Sequence, residues 1–377
     1  MSRWDPYRAL YIHVPFCAKR CNYCDFTTEA VAVDDERLDT YTEQLIAQIR
    51  HYSNQDMLGS IETVYFGGGT PSYLGNKRLS SLVYALSISM HLTPEVECTL
   101  EANPESLTEA MVKDLYALGV TRLSLGVQSF DDGLLRTLGR VHDAERARQA
   151  IRTAQLRFEN VGIDLMCGLP GQTDDSFLND LKEAVSLGVS HISIYPLTIE
   201  DGTPFASLVE KGRLSVDDDL GAQLMDVAAA YLKIQGFERY EVASYARKGF
   251  ESRHNQAYWT AKPYLGIGHG AVGMRQNDLS RERFDETGVI ETLDPFQMAA
   301  EDMMLAMRMS KGVADEDVDI AALLLPDLPF VLDALERDGY ISHIQGRWKP
   351  THRGWLFGNH LYGTLLDLAP YRYDLCE

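Results

Sequence analysis

Three cysteines, Cys17, Cys21 and Cys24, lie close together near the start of the chain. Thiols clustered at this spacing are typical of a metal site. A structural zinc site uses four ligands, usually as two pairs, and the chain has no second Cys or His pair at a suitable spacing. Three thiolates on a four-iron cubane would leave one iron open to a further ligand. The triplet alone leaves open a zinc site completed by a residue such as Cys98, or unbound thiols.

The cysteines follow the first of six strand-like runs that alternate with helical patterns. Such alternation predicts an α/β fold with a parallel sheet, here a partial (β/α)6 TIM-like barrel over residues 1–245. In this fold, functional side chains gather at the carboxyl ends of the strands. The runs are rich in β-branched and aromatic residues and cover residues 10–14, 63–66, 96–101, 122–127, 161–166 and 191–197.

A second, smaller domain is predicted over residues 293–377. Helical patterns at 296–309 and 330–338 precede a hairpin with its turn at Gln345 and Gly346, which favours an α+β, winged-helix-like domain. Residues 295–377 carry seven Lys or Arg against thirteen Asp or Glu, so DNA binding is not expected. Residues 246–292 join the two domains, and the charged, non-periodic stretch 276–292 is predicted to be a connector.

Composition excludes several functional classes. The net charge of −20 over 377 residues argues against a nucleic-acid partner, because phosphate binding needs an excess of Lys and Arg. No apolar stretch approaches the roughly 18 residues of a membrane span, and no signal-peptide pattern is present. The scattered Cys98, Cys167 and Cys376 do not suggest a disulfide framework. A cytoplasmic protein is therefore expected.

Two motifs, one directly before the cysteines and one further along the chain, resemble the radical S-adenosylmethionine (SAM) superfamily. Residues 11–16 read YIHVPF, and residues 67–72, after the second strand-like run, read GGGTPS. The resemblance implies a [4Fe-4S] cluster on Cys17, Cys21 and Cys24, with SAM bound at the open iron. It also implies that one electron can cleave SAM to a 5′-deoxyadenosyl radical, which needs a dry interior to avoid side reactions.

Further motifs resemble the family of oxygen-independent coproporphyrinogen III oxidase. They read EANP at 101–104, GVQSF at 126–130, LGR at 138–140, IDLMCGLP at 163–170 and GIG at 266–268. The resemblance implies one SAM molecule and leaves a second open. The implied SAM-binding positions are Tyr11, Tyr23, Gly68, Gly69, Thr70, Glu101, Gln128, Arg140 and Asp164.

Two departures separate the chain from the oxidase itself. Phe26 occupies the position of the oxidase's fourth cysteine, and the oxidase's long N-terminal extension is missing. Residues 254–259 read HNQAYW, which matches the HNxxYW signature of a branch described as haem chaperones. The expected cargo is haem or porphyrin, passed to haem-accepting proteins, with no coproporphyrinogen oxidation. A class C methyltransferase or a divergent porphyrinogen decarboxylase remains the alternative.

The candidate haem ligands come from this signature and a later glycine turn. His254 is the first candidate, with Tyr258 and Trp259 as an apolar wall, in a site expected near the junction of the two domains. His269 is the second candidate: the glycine turn of the family carries a His at the position of Val272, and in this chain the His of the turn is at 269 instead. Val272 itself is included among the predicted SAM-binding positions. The resemblance also implies an electron donor such as flavodoxin or ferredoxin, and leaves a homodimer and SAM cleavage open.

Overall fold

Parallel strands organise the first two thirds of the chain in the computed structural model, which describes residues 4–90, 93 and 95–370. In chain order the strands are β1 (Ala9–Val14), β2 (Phe16–Cys17), β3 (Glu29–Ala30), β4 (Thr63–Gly68), β5 (Glu97–Ala102), β6 (Arg122–Gln128), β7 (Val161–Cys167), β8 (His191–Pro196), β9 (Glu238–Arg239), β10 (Ser244–Ala246), β11 (Tyr264–Ile267), β12 (Gly273–Gln276), β13 (Arg281–Asp285), β14 (Gly288–Leu293), β15 (Val313–Ala314), β16 (Ile341–His343) and β17 (Arg347–Pro350).

Helices separate most of these strands, as the sequence periodicity predicts. They are α1 (Glu36–Asn54), α2 (Gly75–Met90), α3 (Glu109–Ala117), α4 (Asp132–Leu138), α5 (Ala144–Gln155), α6 (Asp174–Ser186), α7 (Pro204–Glu210), α8 (Asp218–Ile234), α9 (Arg253–Trp259), α10 (Pro295–Ala306), α11 (Asp315–Ala322), α12 (Leu328–Arg337), α13 (His352–Leu356) and α14 (Gly358–Leu366). None of the described helices combines the length and apolarity needed to cross a membrane.

The six predicted strands form the centre of one large sheet, which confirms the α/β prediction. The sheet order is β14-β13-β12-β11-β1-β4-β5-β6-β7-β8-β10-β9, and neighbours from β1 through β8 pair in parallel. Because β14 and β9 form its two edges, the sheet is open, as in a partial barrel. All the carboxyl ends of these parallel strands therefore meet at one rim.

Alternation along each strand divides the side chains between two faces. Leu10, Ile12 and Val14 of β1 are fully buried in the main hydrophobic core, against the helices. The opposite face of the sheet carries polar and aromatic side chains that contact one another across strands. On this face Tyr11 stacks on Tyr65, with ring centroids 6.3 Å apart. The concave interior of the sheet is therefore the polar face, where a site can form.

Helix α9, which begins one residue before the HNxxYW signature, closes the lower end of this interior. Glu97 lies at the start of β5, and its carboxylate accepts hydrogen bonds from the backbone N–H groups of Arg253 (3.1 Å) and His254 (3.0 Å). A carboxylate at a helix N-terminus satisfies N–H groups that the helix itself leaves unpaired. The signature is thus fixed to the sheet at the end opposite the rim.

The prediction that residues 276–292 form a non-periodic connector is wrong. These residues belong to β12, β13 and β14, which pair antiparallel and extend the sheet. The charges of this stretch are paired across elements. Arg281 is 2% exposed and contacts Glu301 (2.5 Å) and Asp302 (2.7 Å) of α10. A strand whose buried positions carry paired charges has no hydrophobic alternation, so its sequence resembles a loop.

The C-terminal region has its own hydrophobic core, and its predicted helices and hairpin are confirmed. Strands β15, β17 and β16 form a small antiparallel sheet beside α10, α11 and α12. The order helix, strand, two helices and hairpin is that of a winged helix. Core residues such as Met307, Leu328 and Leu361 are fully buried within this region. Cys376 lies outside the described residues.

Candidate functional site

The three clustered cysteines line one cavity of about 350 Å³ at the rim of the sheet. Cys17 ends β2, and Cys21 and Cys24 lie in the loop that follows. The Thr70 hydroxyl donates to Cys17 Sγ (3.4 Å), and Arg140 Nη1 donates to Cys21 Sγ (3.5 Å). Polar donors toward sulfur stabilise thiolate ligands. The loop is therefore held from both sides by residues of the sheet rim.

The donor set fits a four-iron cluster better than a single metal ion. Among the described residues, no group of three or more His, Cys, Asp or Glu side chains converges on a single-ion site. A cubane binds each thiolate at a different iron, so its ligands need not converge on one point. Cys98, the residue considered for a fourth zinc ligand, is fully buried in the hydrophobic core instead.

Two glycines at the end of β4 bring the backbone against the cysteine loop. A Cβ at Gly69 would lie 2.8 Å from the Pro15 carbonyl carbon and 3.0 Å from Cys17 Sγ. Gly68 has φ +111°, and a Cβ there would lie 2.5 Å from the His13 ring. Only glycine tolerates both the conformation and the approach. The GGGTPS motif therefore shapes the wall of the cavity next to the sulfur ligands.

Arg140 connects the cysteine loop to two strand ends. Its Nη2 donates to Asn103 Oδ1 (2.7 Å) and to the Gly126 carbonyl oxygen (2.6 Å), while Nη1 contacts Cys21. Its Nε is buried without a hydrogen-bond partner among the described residues. Gln128, with φ +67°, follows a bulge at the end of β6 and lines the same cavity. A left-handed non-glycine residue at a strand end is a strained feature typical of functional sites.

Two carboxylates give the cavity an anionic interior. Burial raises the pKa of Glu101 to about 7 and that of Asp164 to about 6. Neither forms an ion pair with a Lys, Arg or His side chain among the described residues, although Arg122 and Arg140 lower the pKa of Asp164 from a distance. Enclosed carboxylates without a counter-ion favour a cationic ligand. SAM, which carries a sulfonium cation, fits this requirement.

The raised pKa predicts that Glu101 destabilises the folded protein at high pH. Below its unfolded value of 4.5 the group is protonated in both states, and stability is lost as the pH rises through about 7. Glu101→Gln should therefore raise the free energy of unfolding by about 1–3 kcal/mol near pH 8, and by much less near pH 5.

Chemical denaturation of both proteins at the two pH values, without SAM, measures this difference. Glu43→Gln changes an exposed carboxylate and serves as the control, for which no pH-dependent difference is expected. A Glu101→Gln protein that is less stable than the wild type near pH 8 would contradict the prediction.

The cavity brings together most of the predicted site residues. Tyr11 lies in an adjoining cavity, which shares Gly68 and Glu101 and is also lined by Phe26. The predicted residues that line the cysteine cavity are Cys17, Cys21, Tyr23, Cys24, Gly68, Gly69, Thr70, Glu101, Gln128, Arg140 and Asp164.

Val272 is not brought to the site, so the geometry does not support its prediction as a SAM-binding position. It lies between β11 and β12 and lines neither of the two cavities. Its carbonyl oxygen packs so closely on Gly266 that a Cβ there would lie 2.3 Å from it. The turn therefore aligns β11 with β12 at this point and leaves Val272 outside the cavity.

His254 is a packed interior residue in this structure, an environment that does not favour its prediction as a haem ligand. The side chain is 1% exposed, and burial lowers its pKa to about 3. Its Nδ1 contacts Thr63 Oγ1 (2.9 Å), and its Nε2 contacts the Tyr258 hydroxyl (3.1 Å). With both ring nitrogens engaged, no lone pair is free for iron.

The other haem candidates lie in two different places. Trp259 lines a cavity of about 590 Å³ at the junction of the sheet with the C-terminal domain, together with Met298, Met303 and Met309. His269 lies at the rim, with its side chain 61% exposed and its Nδ1 2.7 Å from Glu286. Its Nε2 has no hydrogen-bond partner in the described part of the chain. Of the two histidines, His269 is thus the one with an open nitrogen.

Several residues that build the site are not among those predicted from the sequence. Asn103 donates to Thr70 Oγ1 (2.9 Å) and accepts from Arg140, so it joins two predicted residues. It belongs to the EANP motif and directly follows the end of β5, where the strand-end rule expects functional side chains. Tyr195 and Met166 also line the cavity from strand ends. The strand-end rule could have identified them.

Comparison with known proteins identifies the family. The model of the radical SAM superfamily matches residues 11–184, and that of the HemN C-terminal domain matches residues 293–357. A protein of Bacillus subtilis named heme chaperone HemW is 32% identical over 382 residues, which cover 95% of this chain and 99% of that protein. This chain belongs to the HemW family of radical SAM proteins. The family predicted from the motifs is therefore confirmed.

Other relatives of this HemW-family chain agree. Heme chaperone HemW of Mycobacterium tuberculosis is 35% identical, over 95% of this chain and 94% of that protein. Among solved structures, coproporphyrinogen III oxidase (HemN) of Escherichia coli superposes with a TM-score of 0.77 at 20% identity, covering 96% of this chain and 90% of that one. That likeness shows the shared fold.

Membership in this HemW family implies a [4Fe-4S] cluster and SAM, which the residues of the cavity fit. The cluster's ligands would be Cys17, Cys21 and Cys24, and Glu101 and Asp164 would supply the anionic wall for SAM. When bound, the two groups together would supply one-electron cleavage of a carbon–sulfur bond. The chain's own residues hold the ligand loop, orient the carboxylates and enclose the site.

Proposed function

We propose that this chain is a cytoplasmic haem chaperone, which binds haem and passes it to acceptor proteins. The observation that carries the proposal is an imidazole with an open nitrogen, His269, next to Gly270, which lines the cavity adjoining the cluster cavity. Two HemW relatives that span nearly the whole chain are named heme chaperones, which supports the same function. A flavodoxin- or ferredoxin-type protein is the proposed electron donor.

The glycine turn presents His269 in a fixed position. The His269 backbone N–H donates to the Tyr41 hydroxyl (2.9 Å), which itself donates to the His13 carbonyl oxygen (2.8 Å). Gly268 N–H donates to Gln48 Oε1 (3.0 Å). Glu286 engages Nδ1, which is the arrangement that orients a ligating imidazole and leaves Nε2 for the metal. The turn is therefore preorganised for an axial ligand to haem iron.

An exposed aromatic ring lies near the same glycine turn. Phe26 is 63% exposed and lines both the cysteine cavity and the adjoining one, to which Gly270 also contributes. A Cβ at Gly270 would lie 3.2 Å from Thr27, so the turn and the segment after the cysteines are in contact. An apolar macrocycle could stack on Phe26 while His269 binds its iron. A cysteine at position 26 would offer no such surface.

Haem titration tests the proposal. Ferric haem is added to the wild type, His269→Ala, His254→Ala and the double variant, and the Soret band and resonance Raman spectra are followed. His269→Ala should bind haem about tenfold more weakly or worse, because it loses the axial ligand. His352→Ala is the matched control, since His352 is also an exposed histidine paired with a carboxylate, Asp226 (2.6 Å).

Other outcomes have distinct meanings. Loss of binding confined to His254→Ala would require that imidazole to leave its buried position, and would contradict the His269 site. Equal binding by all variants would exclude both histidines and direct attention to the methionines of the junction cavity. If the wild type binds no haem specifically, the enzyme alternative takes precedence. Methylated product, or carbon dioxide released from coproporphyrinogen III, would then be measured.

A further inference from the structure

The Glu101 carboxylate lines the cavity, and a side chain outside the cavity, Tyr65, holds it in place. The Tyr65 hydroxyl donates a hydrogen bond of 2.6 Å to Glu101 Oε1. Tyr65 lies on β4 and Glu101 on the neighbouring β5, so this bond crosses between adjacent strands on the interior face. The Tyr65 ring does not line the cysteine cavity or the adjoining one. Its hydroxyl therefore orients the carboxylate without contacting a ligand there.

His254 in turn holds the Tyr65 ring. The two rings stack with centroids 5.0 Å apart and an interplanar angle of 27°. Thr63, on the same face of β4 as Tyr65, accepts or donates the hydrogen bond at His254 Nδ1. Tyr258 packs edge-on against the imidazole, with centroids 4.9 Å apart. A ring fixed by two hydrogen bonds and two aromatic contacts has one orientation, and Tyr65 lies against it.

We propose that Tyr65, clamped by His254, is a positioning residue for the SAM-binding carboxylate of Glu101. The HNxxYW histidine would thus act at the SAM site through one aromatic neighbour, from the opposite end of the sheet interior. This proposal concerns SAM binding and does not depend on whether the chain carries haem.

The bond from Tyr65 also favours the charged form of Glu101. The Tyr65 hydroxyl and the Gly68 N–H lower the pKa of Glu101, whereas burial and the nearby Asp164 raise it. Without the hydroxyl, a larger fraction of Glu101 is protonated at neutral pH and offers a ligand only an uncharged, weaker acceptor. The titratable groups that face Glu101 are Tyr11 of β1, Tyr65 of β4, Asp164 of β7, Tyr195 of β8 and Tyr258 of α9.

Tyr65→Phe tests the proposal with the removal of one oxygen atom. SAM affinity is measured by equilibrium dialysis with labelled SAM on cluster-loaded protein, across a pH series. Near pH 7 the variant should bind SAM about tenfold more weakly than the wild type. The difference in SAM affinity between the two proteins should become smaller toward roughly pH 9, because Glu101 is then ionised in both. A purely structural role for Tyr65 would not shift the midpoint pH of the change in SAM affinity.

A double-mutant cycle tests the link to His254. His254→Ala should weaken SAM binding in the wild-type background but have a much smaller effect in the Tyr65→Phe background, because both changes act on one hydrogen bond. Equal effects in the two backgrounds would overturn that link. Tyr264→Phe is the matched control: Tyr264 packs on Tyr258, at 4.7 Å, but makes no hydrogen bond to Glu101.

Two results would overturn the proposal as a whole. One is unchanged SAM affinity and pH midpoint in Tyr65→Phe, and the other is a loss of affinity that is the same at every pH. Iron content and circular dichroism show whether each variant has folded and loaded its cluster. If Tyr65→Phe loads poorly, the pH dependence of its unfolding free energy reports the titration of Glu101 without SAM or cluster, and an unshifted midpoint there would also overturn the proposal.

Discussion

Replacement of Cys21 by alanine is expected to reduce the iron and sulfide of the anaerobically reconstituted protein from about four of each per chain to near zero. The three cysteines line one cavity and are the only thiols there among the described residues. Burial raises the pKa of Cys17 to about 11, so this thiol ionises readily only when a metal takes the place of its proton. A cluster held by only two thiolates would dissociate from the protein and be lost.

The same change at the scattered cysteines provides the control. Cys98→Ala and Cys167→Ala should keep full iron, because both side chains lie in the hydrophobic core. Cys376→Ala should also keep it, on the sequence argument alone. Full iron in Cys21→Ala, or one zinc per chain in the native protein, would contradict the cluster assignment and restore the zinc interpretation.

Glu101→Gln is expected to weaken SAM binding by about five- to hundredfold, which corresponds to roughly 1–3 kcal/mol for the loss of a charged acceptor in an enclosed site. Glutamine keeps the size and one acceptor oxygen for Tyr65, so the change removes mainly the charge. The same variant should be more stable than the wild type near pH 8. Opposite signs for stability and binding are the signature of a residue kept for a ligand at a cost in stability.

Electron paramagnetic resonance of the reduced cluster, titrated with SAM, measures this effect directly. SAM should perturb the wild-type spectrum, and a higher SAM concentration should be needed for the same change in Glu101→Gln. Glu301→Gln serves as the control for a buried carboxylate, since Glu301 pairs with Arg281 far from the cysteine cavity. If the two variants bind SAM as tightly as the wild type, Glu101 is a structural residue only.

The sequence by itself determined the family and the central strands of this protein, and it predicts the cluster ligands. Ligand spacing such as that of Cys17, Cys21 and Cys24 is local, and so is the periodicity of strands such as Ala9–Val14. The family resemblance named Thr70, Glu101, Gln128, Arg140 and Asp164. Four of them lie at or near the ends of parallel strands, which share one rim, and Arg140 lies in the loop after α4. These features depend on short stretches of chain, so they can be recognised without a structure.

Only the tertiary structure decided what His254, Val272 and residues 276–292 do. The partner of His254 Nδ1 is Thr63, 191 positions away, and no local pattern indicates that both ring nitrogens are engaged. The charges of β13 look solvated in sequence, yet Arg281 is buried against α10. Burial and pairing are properties of contacts between distant segments. A motif therefore identifies which residues matter, and their three-dimensional neighbours determine whether each binds a ligand or positions a residue that does.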